Sequence, residues 1–237
     1  MKFIENADLD MVAAAVSENA IDCKFDVRIE SYSCKMVNVD KKEWKKMKDF
    51  NKELQPLSPP EMISIEGRYG TSPGHGRFRH LSQSSISGGD SDFDEPHLVN
   101  AITRKVLFDL TTVLNHSYSD YDFSGLPSES FTYFSDFNQV VKDIDSKFSS
   151  SLSNHAYLKN LLWTAIDNEI QIKNCSIFSL IPSYEKDPFT ENGCIWSFNY
   201  FFRNKAMKRI LFFSCRAMRG DSDLESSLDD EFDDNDE

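Results

Sequence analysis

CIWSFNYFFRNKAMKRILFFSCR, residues 194–216, decides the architecture of this chain. Two aromatic and aliphatic runs flank Arg203-Asn204-Lys205-Ala206, and alternation broken at an Asn is the pattern of a β-hairpin. With Asn204 and Lys205 as the two turn residues, Phe202 is expected opposite Met207, Tyr200 opposite Arg209, Phe198 opposite Leu211 and Trp196 opposite Phe213, all on one face. The other face then carries Ile195, Ser197, Asn199, Phe201, Lys208, Ile210 and Phe212. Both faces are largely apolar, which predicts a central pair of strands covered on both sides.

WSFNYFF, the following Asn204-Lys205 and KRILFFSCR resemble the C-terminal signature of the MAF-one repressors of RNA polymerase III. Two further blocks agree in order. Arg28 to Met36 (RIESYSCKM) resembles that family's N-terminal block, and Asp120-Tyr121-Asp122-Phe123-Ser124 its middle block, with Ser119 where the family has a proline. The resemblance covers roughly residues 1 to 40 and 97 to 219. It implies an antiparallel sheet with helices on both faces and a non-enzymatic repressor without cofactor. Such a protein would bind RNA polymerase III near its clamp and initiation subunits and block engagement of the TFIIB-related subunit of the initiation factor. The resemblance also implies control by protein kinases and phosphatases, with shuttling between nucleus and cytoplasm according to phosphorylation state.

The residues set their own bounds. Net charge is −13, from 26 basic and 39 acidic residues, but residues 221–237 hold ten acids and no base, so the remainder carries only −3. A chain of that sign is unsuited to sequence-independent nucleic-acid binding, whose affinity comes from Lys and Arg neutralising phosphates. Cys23, Cys34, Cys175, Cys194 and Cys215 form no CxxC pair and read as free thiols of a reducing compartment. MKFIENADLD has acids where a signal peptide needs an apolar run, and no stretch reaches the length of a membrane span. The expected location is cytosol or nucleus.

Taken in order, Asp8 to Ser17 reads as a short helix, and Lys24 to Met36 as a strand with Phe25, Val27 and Ile29 buried and the alternate residues wet. Lys41-Lys42-Glu43-Trp44-Lys45-Lys46-Met47-Lys48 reads as a solvated helix face rather than an import patch. From Gln55 to Pro96 lie six of the nine glycines and five of the eight prolines, so this segment reads as a disordered insertion. His97 to Ser117 is expected as an amphipathic helix with Leu98, Ile102, Val106, Leu110, Val113 and Leu114 as its stripe. Helices are expected from Ser135 or Asp136 to Phe148 and from Asn154 to about Asp167. Glu169 to Pro182 reads as a strand whose first residues are also compatible with a longer helix. The expected fold is α+β: a central antiparallel sheet of about five strands with helices on both faces. Residues 1–54 and 97–220 form one globular domain, 55–96 an insertion and 221–237 an acidic disordered tail.

Candidate functional residues fall into two groups. For phosphorylation, Ser82 follows Arg77 and Arg79 at a spacing basophilic kinases read, Ser58 and Ser72 precede prolines, and Ser222, Ser226 and Ser227 each have an acid three residues on. For partner binding, the candidates are Asp120 and Asp122 of the middle block and Arg203, Lys205, Lys208 and Arg209 around the hairpin turn. Between Gly193 and Gly220 there are six basic residues and no acid, so the acidic tail reads either as a screen over one basic edge or as a solvated tail that aids solubility. Motifs for nucleotide, metal or nucleophilic chemistry are absent from the sequence, and no catalytic, cofactor or metal residue is assigned. Two alternative functions fit the same residues. One is a phospho-regulated adaptor with other partners; the other is a single-stranded RNA module using the aromatic strand as a stacking platform.

Overall fold

The structure, a computed structural model, describes residues 1–46, 54–59, 100–183 and 187–220. Along these residues run β1 (Lys2–Ile4), α1 (Ala7–Glu18), β2 (Lys24–Ser33), α2 (Asn38–Lys46), β3 (Leu54–Pro56), β4 (Ala101–Thr103) and α3 (Arg104–Ser117). Then come β5 (Phe131–Phe134), α4 (Phe137–Ser151), α5 (His155–Ile170), β6 (Cys175–Leu180), β7 (Cys194–Asn204) and β8 (Arg209–Met218).

β7 and β8 do form the central hairpin, but its register differs from the expected one. Asn204 lies opposite Arg209, Phe202 opposite Leu211, Tyr200 opposite Phe213 and Phe198 opposite Cys215. The loop therefore spans four residues, 205–208, rather than a two-residue turn at Asn204-Lys205. Asn204 is the reason. Its Oδ1 accepts the Met207 N–H at 3.1 Å and its Nδ2 donates to the Ile170 carbonyl at 2.9 Å, which fixes a 1 % exposed side chain as the last strand residue. Lys208 closes the loop in the left-handed region at φ 54°. Each β7 residue meets a partner four positions further along β8 than expected, an even shift, so both face assignments survive. Ile195 is the exception: a register irregularity between Cys194 and Trp196 leaves it 54 % exposed.

The main sheet has six strands in the order β1-β2-β8-β7-β6-β5, antiparallel throughout; β3 and β4 pair separately. One face of the hairpin, with Phe198, Tyr200, Phe202, Leu211 and Phe213, packs on α1 (Leu9, Val12, Val16), α4 (Val140, Ile144, Phe148) and α5 (Leu158, Leu162, Ile166). The other, with Phe201, Ile210 and Phe212, packs on Leu107, Leu110, Val113 and Leu114 of α3. Each such ring or branched chain taken out of water contributes about 1.5–3 kcal/mol, which is why a strand pair apolar on both sides needs two helical layers. Because the second layer also covers β2, its alternate residues Asp26, Arg28 and Glu30 are half-buried rather than wet, and Tyr32 is fully buried.

Three boundaries move. Leu54–Pro56 pairs with Ala101–Thr103, Gln55 and Leu57 are buried, and the Ser58 N–H bonds to the Phe131 carbonyl, so Gln55 to Pro59 belongs to the folded domain rather than to the insertion. The helix expected from His97 starts at Arg104, because Ile102 is held in β4 and the Thr103 Oγ1 caps the helix by accepting the Val106 N–H. The strand expected from Glu169 starts at Cys175. α5 runs on to Ile170 and stops where Gln171 turns left-handed and Asp167 Oδ1 takes the Ile172 N–H at 2.9 Å. β1 and β5 have no counterpart among the expected elements; they bring the main sheet to six strands. Residues 60–96 of the expected insertion and the tail 221–237 lie outside the described residues.

Candidate protein-interaction surface

The three sequence blocks converge on one cluster. β2 runs antiparallel to β8 with Asp26 opposite Arg216 and Arg28 opposite Ser214, and the end of α3 crosses above them. The Arg28 guanidinium lies 4.2 Å over the Tyr118 ring and donates to the Ser117 carbonyl; the Tyr118 hydroxyl is 3.0 Å from Ser214 Oγ. Arg216 donates twice to Asp26 Oδ2, through Nε at 3.0 Å and a terminal nitrogen at 2.6 Å. It also donates to the Pro188 carbonyl at 2.8 Å and to Glu191 Oε2 at 2.6 Å. Glu191 Oε1 accepts the Tyr121 hydroxyl.

The electrostatics follow from this geometry. Burial works against the Arg216 cation, but the bonds and charge of Asp26 together with Tyr118 and Glu191 outweigh it and hold the guanidinium charged. The bond to Glu191 pushes the Tyr121 hydroxyl up to about 12. Burial pushes the Tyr118 hydroxyl up as well, against the pull of Ser214 and Arg28. One arginine on a central strand thus pins two loops, 118–124 and 187–191, to the sheet.

What the pinned loop presents is acidic and aromatic. Phe123 is 3 % exposed and its N–H bonds to Asn115 Oδ1 at 2.8 Å, while Tyr121 is half-buried beside it at a ring distance of 6.1 Å. Asp120 and Asp122 are exposed, as expected of the middle block. Asp122 Oδ1 accepts the Ser124 N–H at 2.9 Å, which holds its carboxyl below the usual range. A rigid loop with outward carboxylates suits recognition by a partner.

The other expected partner-binding residues share one hairpin end, but their charges are not equally free. Arg203 lies 3.8 Å from the buried Asp109, which also pairs with Lys105 and whose carboxyl burial pushes up. Arg209 bonds at 2.8 Å to Glu169, which also accepts Ser31 Oγ at 2.6 Å and Asn6 Nδ2 at 2.9 Å. Lys205 and Lys208 are exposed in the hairpin loop. β8, ten residues long, then carries the chain about 36 Å from Lys208 to Arg219, so the expected single basic edge is divided. Three of its six cations, Arg203, Arg209 and Arg216, already face carboxylates of the fold.

Among the expected phosphorylation residues, Ser58 is half-buried and its Oγ donates to the Glu129 carbonyl at 2.5 Å. Ser72, Ser82, Ser222, Ser226 and Ser227 lie outside the described residues. The aromatic strand offers no stacking platform: Phe198, Tyr200, Phe201 and Phe202 are all at most 5 % exposed. Sequence reasoning missed Asp26, Arg28, Tyr118, Glu191 and Arg216 as one site. The available signal was a charge inside an apolar run, Arg28 and Arg216 both interrupting strands; nothing in the sequence joins Glu191 to them.

The fold is thus an α+β domain built on one doubly covered antiparallel sheet, with an outward acidic–aromatic loop pinned at one end. The chain belongs to the Maf1 family: the family model described as Maf1 regulator matches residues 25–214. It is 32 % identical over 223 residues to the repressor of RNA polymerase III transcription maf1 of Schizosaccharomyces pombe, covering 92 % of this chain and 83 % of that protein. It is 39 % identical over 119 residues to a repressor of RNA polymerase III transcription of Dictyostelium discoideum, a match that covers 49 % of this chain and 42 % of that protein. The crystal structure of citrus MAF1 superposes with a TM-score of 0.57 at 24 % identity, covering 90 % of this chain and all of that one, which shows a shared fold.

Proposed function

We propose that this chain represses transcription by RNA polymerase III, binding the polymerase and blocking its engagement with the TFIIB-related subunit of the initiation factor. The observation that carries the reading is the match to the Schizosaccharomyces pombe repressor along 92 % of the chain. A physical means that supports it is Arg216, which bonds Asp26 beside the N-terminal block and reaches Tyr121 of the middle block through Glu191, with Asp120 and Asp122 outward. Kinases and phosphatases acting on Ser82 and the other expected serines would set how much of the protein is nuclear and free to bind. The test is transcription of a transfer-RNA gene by purified RNA polymerase III and its initiation factors. Added chain is expected to lower transcript yield when present before initiation-complex assembly and to be ineffective after it. Equal yield with and without the chain, together with no recovery of polymerase subunits on the immobilised protein, would overturn the reading.

A further inference from the structure

The tertiary structure assembles a row of lysines that no stretch of the sequence displays. At one end of the main sheet, neighbouring strands each finish at an exposed lysine: Lys2 on β1, Lys35 just beyond β2, Lys208 before β8, Lys205 after β7 and Lys173 in the turn before β6. The pairing Lys2 with Ser33, Ser33 with Arg209, Arg209 with Asn204 and Asn204 with Cys175 sets these ends side by side. The Cys34 N–H bonds to the Lys208 carbonyl at 2.8 Å, joining Lys35 to the hairpin loop. Five strands at about 4.8 Å spacing make the row about 19 Å long. None of these five lysines has an ion-pair partner among the described residues, whereas Arg203 and Arg209 beside them are paired with Asp109 and Glu169.

The geometry points to this row as a docking surface for an acidic, extended segment of a partner protein. It lies at the opposite end of β8 from the Arg216 cluster and does not rest on the polymerase reading. Compact ammonium groups on mobile stems, with no arginine fork free, suit carboxylates spread along a peptide. A nucleic acid fits less well. Among the described residues Arg203 and Arg209 are already paired with carboxylates, and the aromatic strand behind the row is buried, so neither a guanidinium fork nor stacking favours a polyphosphate. The chain's own acidic residues 221–237 follow the opposite end of β8, about 30 Å from the row.

The test uses the full chain and a fluorescein-labelled peptide of alternating Asp and Glu, followed by anisotropy at about 50 and about 200 mM salt. K35E/K205E/K208E is compared with K24E/K142E/R219E, which makes the same change in net charge at exposed positions away from the row. The row variant is expected to bind at least about tenfold more weakly and the other variant less than about twofold, with binding by the unaltered chain falling as salt rises. Lys205→Gln and Lys208→Gln, each neutral substitutions of exposed side chains, are expected to weaken binding singly by about two- to threefold. No binding at the lower salt, equal loss in both triple variants, or tighter row-dependent binding of a single-stranded RNA of equal charge would each overturn the proposal.

Discussion

Replacing Arg216 by alanine removes the one side chain that bonds Asp26, Pro188 and Glu191 together, and the loss is open to calculation from the structure. The Arg216 side chain is 14 % exposed, but Asp26 is 31 % and Glu191 40 % exposed, so water screens both carboxylates and full buried-pair values do not apply. Two bonds to one Asp26 oxygen, with partial screening, are worth about 1–2 kcal/mol of coupling. Loss of the bond to the Pro188 carbonyl and of stem packing beside Tyr118 brings the Arg216→Ala cost to about 2–3 kcal/mol. For a domain of this size that is a fall in Tm of about 4–12 °C. The assay is urea unfolding of the wild type, Arg216→Ala, Asp26→Ala and the double variant. Asp26→Ala and Arg216→Ala are expected to be less than additive by about 1–2 kcal/mol. Additivity within about 0.3 kcal/mol would refute the reasoning, because it would mean the pair carries no coupling.

Asn204→Ala is expected to cost about 2–3 kcal/mol, since it strips the partners from the Met207 N–H and the buried Ile170 carbonyl; a cost of a few tenths in urea unfolding would mean that Asn204 is an ordinary loop residue. Trp196→Ala is expected to cost about 2–3 kcal/mol, below the range for a fully buried indole, because the half-exposed ring keeps contacts with Phe25 at 5.1 Å, Phe148 at 6.1 Å and Phe198 at 6.3 Å; thermal unfolding unchanged from wild type would exclude those contacts as stabilising. Burial pushes the Cys34 thiol from 9.0 up to about 11, so at pH 8 its alkylation is expected to be about 100-fold slower than in the urea-unfolded chain. The linked stability is fully present below pH 9, the unfolded value, and is lost as pH rises toward about 11; equal labelling rates in the two states, read by mass spectrometry, would count against it.

How much of this was legible beforehand differs by element, for physical reasons. Alternation over residues 194–216 was enough to name a hairpin covered on both faces, because side-chain direction along a strand has period two and two apolar faces leave no other placement. The same pattern could not fix the register. Any even shift preserves the faces, and the choice among shifts fell to Asn204, whose amide finds the Ile170 carbonyl only after α5 has docked. Helix α1 was readable from its local acids and apolar spacing. Helix α3 was misplaced at its start because Ile102 has helical spacing from Val106 but is captured by pairing with Gln55, 47 positions earlier.

The site divides along the same line. Block identity pointed to Asp120, Asp122 and the loop around them, whose exposure follows from local turn chemistry. The sequence also showed six basic residues between Gly193 and Gly220, but their apparent clustering was an accident of adjacency along the chain. In the fold, consecutive strand residues point to opposite faces and a strand moves about 3.3 Å per residue, so neighbours in sequence separate while strand ends from distant segments meet. Local spacing therefore determined the elements and their buried faces. Only tertiary packing decided which charges are neutralised, as for Arg203, Arg209 and Arg216, and which have no ion-pair partner among the described residues, as for Lys35, Lys205 and Lys208, because the carboxylates that pair with the arginines arrive from α3, α5 and β2.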